Sequence, residues 1–223
     1  MKKLLSALAF CFITESILCQ QPFLEVKDEP RHHLVFENEF IRILDVHLGP
    51  GDTTFYHRHK TPSVFIYLSQ NKVQSQLLNK EPLKEVTNIA GNISYDELTT
   101  ERIHRVWNTD TIWMHVIDAE LKPNDLKSKR QNLVFKELTP LFSEETLNGY
   151  KLILLPKQSF QLPLVAGGYL LISLGNTEAI IDINGNKEHR FMKAGHYQWI
   201  KAGEKFQTEN KSGNNSEFAL LQF

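Results

Sequence analysis

The chain has 223 residues, of which 41% are hydrophobic, 23% charged and 10% aromatic. That balance fits an ordinary globular protein and excludes disordered, collagen-like and disulfide-scaffold classes. Lys and Arg number 25 against 26 Asp and Glu, so the net charge of −1 supplies no field that would hold nucleic acid or an anionic membrane surface.

The first predicted element is a leader. Lys2 and Lys3 precede an apolar run over 4–13, then come Thr14, Glu15 and Ser16, and then Ile17-Leu18-Cys19, which reads as a secretory signal peptide over 1–19. The apolar run is about half the roughly 20 residues of a membrane span, so no membrane span is expected. The protein is expected to be exported, to the periplasm or outside the cell, with Gln20 as the mature N-terminus. Acylation of Cys19, which would make a lipoprotein, is the disfavoured alternative, because Leu18 stands where such signals carry a small residue. Both cysteines, Cys11 and Cys19, lie in the leader. The mature chain therefore has no disulfide and no thiolate to bind a metal or attack a substrate.

After an N-terminal segment over 20–32, short apolar runs alternate with turn signals and no helical period persists, which predicts an all-β chain. Predicted strands cover 41–48, 63–68, 112–117, 151–155, 169–174 and 179–183. Asn184-Gly185 closes the last of these with the residues of a type I′ hairpin turn. The polar stretch 121–132, containing Pro123-Asn124-Asp125, reads as a linker between a first domain over 33–120 and a second over 133–223. The two halves look like copies of each other. Leu34-Val35-Phe36-Glu37 recurs as Leu133-Val134-Phe135-Lys136 at an offset of 99, the strand ending at Pro50 recurs as the strand ending at Pro156 at an offset of 106, and His104 to Asn108 fall on Phe206 to Asn210 at an offset of 102. We read this as a tandem duplication.

Seven of the nine histidines lie in the first half. After the Pro50-Gly51 turn, His57 and His59 are two apart, and strand alternation puts both on one face with Arg58 opposite. His104 follows 45 residues later, in His104-Arg105-Val106-Trp107-Asn108. Neutral imidazoles gathered on one face suit a divalent transition ion.

In these residues the chain resembles the cupin family. The first cupin motif is a Gly, five residues, His-x-His, three or four residues, Glu, six residues and Gly; Gly51, His57 and His59 match its start. The second motif ends in His-x-x-x-Asn, which His104 and Asn108 match, and in the second half Gly195, Gly203 and Asn210 fall on the same motif. The resemblance covers both halves and implies two tandem double-stranded β-helix barrels, a bicupin. It departs from the family where the first-motif Glu should stand, since Ser63 and Val64 are there, and Ile93, Thr99 and Glu101 replace the Gly, Pro and Gly before His104. In the second half the ligand positions fall on Pro163, Val165, Tyr169 and Phe206, so that barrel is expected to hold no metal.

What the resemblance leaves is a three-His metal set, His57, His59 and His104, of the kind found among cupin thiol and diketone dioxygenases. Fe, Mn, Ni or Zn is the expected ion. Parity adds Ser63 and Phe65 to the pocket with Asn108, and His115 as a second-sphere or fourth-ligand candidate. Tyr67, as an acid or an orienting hydroxyl, and Arg102, as an anchor for an anionic substrate, are the catalytic candidates. His32-His33 is expected to be exposed, His47 is ambiguous, and His189 and His196 lack partners.

The expected function is a small-molecule metalloenzyme of oxygenase, lyase or isomerase type. The alternative is a non-catalytic binding protein for a sugar or organic acid. A small-molecule ligand is the expected partner and a homodimer is left open. Sequons at Asn92, Asn210 and Asn214 have meaning only in a eukaryotic secretory pathway. There is no phosphate loop, no Gly-x-Ser-x-Gly elbow and no His-Glu-x-x-His helix, so nucleotide, serine-hydrolase and zincin chemistries are set aside.

Overall fold

A computed structural model of the chain describes residues 23–123 and 132–223. The leader and most of the linker expected from the sequence lie outside these residues. Among the described residues nearly all regular structure is β, with one 3₁₀ turn at Val26–Asp28. In chain order the strands are β1 (Leu24–Glu25), β2 (His32–Glu37), β3 (Ile41–Leu48), β4 (His57–His59), β5 (Ser63–Tyr67), β6 (Asn71–Leu77), β7 (Val86–Asn88), β8 (Ile93–Asp96), β9 (Arg102–Asn108) and β10 (Met114–Leu121). The second half adds β11 (Leu138–Ser143), β12 (Asn148–Leu154), β13 (Ser159–Leu162), β14 (Tyr169–Ser173), β15 (Thr177–Ile183), β16 (Asn186–Met192), β17 (Tyr197–Ile200), β18 (Phe206–Asn210) and β19 (Ser216–Gln222).

Each half is a two-sheet barrel. The first is built from sheets ordered β1-β4-β9-β6-β7 and β2-β3-β10-β5-β8, the second from β11-β12-β19-β14-β17 and β13-β18-β15-β16. Among the described residues only β1 and β4 pair in parallel. The expected turn is present, with Asn184 and Gly185 at φ of 55° and 88° between β15 and β16. The strand expected over 112–117 instead starts at Met114 and continues to Leu121. The apolar count had ended at Ile117, because the polar Asp118 and Glu120 interrupt the run.

The duplication is visible in backbone detail. His32 pairs with Val46 and Leu138 with Leu152, so β2 and β11 are related at an offset of 106. The offset of 99 read from Leu133 to Lys136 is therefore a correction: those residues precede β11, and a short apolar string proved a weaker guide than pairing. Both pairs even carry a bulge at the same place, Leu34/Phe36 and Pro140/Phe142.

The motif asparagines are buried clamps in both copies. Asn108 Nδ2 donates to the carbonyls of Leu48 (3.1 Å) and Ile112 (2.8 Å), and its Oδ1 accepts from the Asp110 amide at 3.0 Å. Asn210 Nδ2 likewise donates to Leu154 (2.9 Å) and Asn214 (2.8 Å), and its Oδ1 accepts from the Ser212 amide at 2.7 Å. Gly51 N–H donates to the Asn108 carbonyl and Lys157 N–H to that of Asn210. Gly51 has φ of 72° and Lys157 has φ of 65°, so the second copy keeps the left-handed turn without its glycine.

The barrels pack sheet on sheet. Ile41, Ile43, Val64, Ile66, Ile117 and Ala119 turn outward from the first barrel and meet Leu170, Ile172, Leu174, Ala219 and Leu221 of the second in one buried cluster. Each fully buried aliphatic side chain of this kind stabilises by roughly 1.5–3 kcal/mol, as an upper estimate. This explains why β14 reads as an unbroken apolar run. Its Tyr169 and Leu171 enter the second barrel's own core, while Leu170 and Ile172 enter the seam. β5 obeys the same parity, with Val64 and Ile66 in the seam and Phe65 and Tyr67 turned into the first barrel.

Candidate metal centre

The first barrel encloses a cavity of about 450 Å³, and His57, His59 and His104 line it. Strand pairing brings them together: β4 and β9 run antiparallel with His57 opposite His104 and His59 opposite Arg102. The ring centroids of His57 and His104 are 4.6 Å apart, and His59 lies 5.0 Å from each. One nitrogen from each ring falls within 4.8 Å of the other two.

The donor set fits a transition ion. His57 Nδ1 lies 2.9 Å from the Phe55 carbonyl, which only a protonated nitrogen can satisfy, so Nε2 faces the group as a lone-pair donor. Nε2 of His59 and Nε2 of His104 approach to 3.1 Å. Burial pushes His57 down to about 4, with the neighbouring His32 adding to the shift. Burial also lowers His59 and His104, and each is lowered further by the adjacent histidines. Three imidazoles are thus held neutral, the form that binds metal.

Asp118, on β10, was missed in the sequence. Its side chain points into the barrel, 1% exposed, with Oδ2 at 3.6 Å from His59 Nδ1. Neither of its oxygens nor His59 Nδ1 has a hydrogen-bond partner among the described residues. Burial, reinforced by Glu120, raises its carboxyl to about 8. A carboxyl behind a metal-ligating imidazole fixes the ring's orientation and tautomer. The signal that could have found it is the acidic pair Asp118 and Glu120 on the parity of Met114 and Val116 in β10.

The remaining site candidates separate. Phe65, Tyr67, Val106 and Arg102 line the cavity, and Arg102 Nη1 meets Asp96 at 2.6 Å near its edge. Burial raises the Tyr67 hydroxyl. Ser63 is buried at the start of β5 but does not line the cavity. With Ser63, two further pocket candidates are corrected. Asn108 is the turn clamp described above, with its side chain used up by backbone groups. His115 lies on the opposite parity of β10 from Met114 and Val116, so it faces away from the cavity and bonds Asp45 at 2.8 Å. His32, expected to be exposed, is 8% exposed, lines the cavity, and packs on His57 with its Nδ1 at 2.7 Å from Glu29. His189, read as lacking a partner, lies 3.7 Å from Glu178 on the surface.

In the second barrel Leu162 stands opposite Phe206 as His57 stands opposite His104. Both belong to that barrel's apolar core. Among the described residues no group of three metal-binding side chains lies in the second barrel.

No protein-family model and no curated protein matches the chain. Solved structures do. A cupin 2 conserved barrel domain protein from Leptotrichia buccalis is 11% identical with a TM-score of 0.53, over 85% of this chain and 86% of that one. YhhW from Escherichia coli is 16% identical with a TM-score of 0.57, over 85% and 88%. Salicylate 1,2-dioxygenase from Pseudoaminobacter salicylatoxidans is 12% identical with a TM-score of 0.59, over 84% and 70%. With two β-barrels in tandem, clamped by the same buried asparagine, the chain has the cupin fold in its two-barrel form.

Proposed function

We propose that the protein is an exported small-molecule metalloenzyme of oxygenase type, with one divalent transition ion on Nε2 of His57, Nε2 of His59 and Nε2 of His104. The observation that carries this reading is the convergence of three neutral imidazoles on one cavity. Such an ion, when bound, supplies a Lewis acid with open coordination positions. The dioxygenase with the same fold supports the oxygenase choice by analogy alone.

The chain's own groups set the substrate. Three imidazoles bring no negative charge, so an anionic substrate oxygen, of a carboxylate, phenolate or enolate, suits the positions such an ion leaves open. Phe65, Val106, Met114 and Val116 line the same cavity and suit an apolar body. Asp118, with Oδ2 at 3.6 Å from His59 Nδ1, is the polar group placed to orient that ring from behind. Tyr67, kept protonated by burial, is positioned to donate a hydrogen bond to a substrate oxygen. Arg102 is held by Asp96 and offers the remaining positive charge at the edge.

The test is oxygen uptake by mature protein reconstituted with Fe²⁺, against a panel of hydroxylated aromatic acids, β-diketones and small thiols. Uptake with one class, lost in His104→Phe, is expected. Binding of panel members measured by calorimetry, with no uptake and no product, would overturn the enzyme reading in favour of a binding protein.

A further inference from the structure

The outward face of β3 and β10 carries a second convergence of ligand-type groups. Asp45 and His47 on β3 and His115 on β10 point away from the cavity, on the same face as the seam residues Ile43 and Ile117. His47 and His115 are direct cross-strand partners and Ile117 is the partner of Asp45. The two imidazoles stack at 4.1 Å between centroids. Each aims Nε2 at one oxygen, Asp45 Oδ1, at 3.0 Å from His47 and 2.8 Å from His115. Ligand atoms at about 2.0–2.2 Å from a tetrahedral or octahedral ion lie roughly 3.0–3.4 Å from one another, so these separations are those of one coordination sphere.

Two neighbours build the place further. The second barrel covers it with Gly195, at φ of 85°, where an added Cβ would stand 3.3 Å from His115 Nε2 and 3.1 Å from Leu68. A side chain there would crowd the nitrogen. On the other side His33, the cross-strand partner of Asp45, has its ring 6.5 Å from that of His47. The three side chains are 20–38% exposed, so an ion could enter and keep water ligands.

We propose that Asp45, His47 and His115 form a second divalent-metal site at the mouth of the seam, separate from the three-His group. Two imidazoles and one carboxylate suit a borderline ion of the Zn²⁺, Ni²⁺ or Co²⁺ type rather than Ca²⁺ or Mg²⁺, which take oxygen ligands. The site carries one negative charge of its own and sits between the barrels, so it is assigned to holding the seam rather than to turnover.

The test is the number of Zn²⁺ ions retained per full mature chain after equilibration and gel filtration, for the wild type, H47Q/H115Q and H57Q/H104Q. Two ions in the wild type and one in each double variant are expected. One ion in the wild type that is lost only from H47Q/H115Q would uphold this site and remove the three-His reading. Equal Zn²⁺ in the wild type and H47Q/H115Q would overturn it, leaving a carboxylate bridging two histidines. Wild-type protein gives an independent measurement. Zn²⁺ should slow diethyl pyrocarbonate modification of His47 and His115 about tenfold or more, mapped by peptide mass, while exposed His189 reacts unchanged. Unprotected His47 in saturating Zn²⁺ would also overturn the site.

Discussion

Replacing Asn108 by Ala separates a structural role from a role in the pocket. The side chain serves three backbone groups: the Leu48 and Ile112 carbonyls lose a donor and the Asp110 amide loses an acceptor. A net hydrogen bond is worth about 1 kcal/mol, and a buried group left unpaired costs about 1–3 kcal/mol, so the loss should be near 3 kcal/mol. Asn210 serves three groups in the same way in the second barrel, so Asn210→Ala should cost the same, about 3 kcal/mol. With a slope of about 2 kcal/mol per molar urea, either variant should lower the unfolding midpoint by about 1.5 M. Below that midpoint Asn108→Ala should retain as much metal as the wild type. Loss of metal in Asn108→Ala, with a stability change under about 1 kcal/mol, would refute the clamp and return Asn108 to the pocket.

Three further outcomes follow from the same geometry. Asp118→Asn should weaken metal retention by about 10–100-fold, read by competition with a chelator, because His59 loses the carboxyl group behind its Nδ1. Glu29 is 1% exposed, and although burial pushes its carboxyl up, hydrogen bonds from His32 and the amides of Arg31 and Phe55 hold it below its usual 4.5. A lowered carboxylate stabilises above the unfolded value, and that stability is lost as pH falls through the folded one. Glu29→Gln should therefore cost about 2 kcal/mol at pH 7, with the gap to the wild type closing as pH falls below about 4.5 in urea titrations. Lys157→Gly should stabilise by about 0.5–1 kcal/mol in thermal unfolding, since the left-handed backbone strains lysine more than glycine's extra chain freedom offsets.

Much of this architecture could be read from the residues themselves. His57 and His59 share a face because strands alternate, and His104 was placed by the motif ending in Asn108. Asn184-Gly185 made its turn because the chemistry of positive φ is local. Other features depended on where strands begin and end. Asp118 was overlooked because β10 continues four residues past the last apolar residue counted, and a carboxyl in a barrel interior contradicts the pattern used to find the strand. His115 could not be given a face from the sequence, because parity cannot be counted without a fixed strand start; it turns outward and bonds Asp45. His32 escaped because nothing local distinguishes it from His33; burial comes from Glu29, close in sequence, and from His57, remote in sequence but with its ring only 4.6 Å away. The seam was hidden in plain composition, since a strand with both faces buried loses the alternation that marks its orientation.

The most direct measurement is an anomalous difference map from crystals of the protein loaded with Zn²⁺ or Co²⁺. The account requires a peak within bonding distance of Nε2 of His57, Nε2 of His59 and Nε2 of His104, with His59 Nδ1 turned to Asp118. A loaded crystal with ions elsewhere and no peak among these three nitrogens would contradict it.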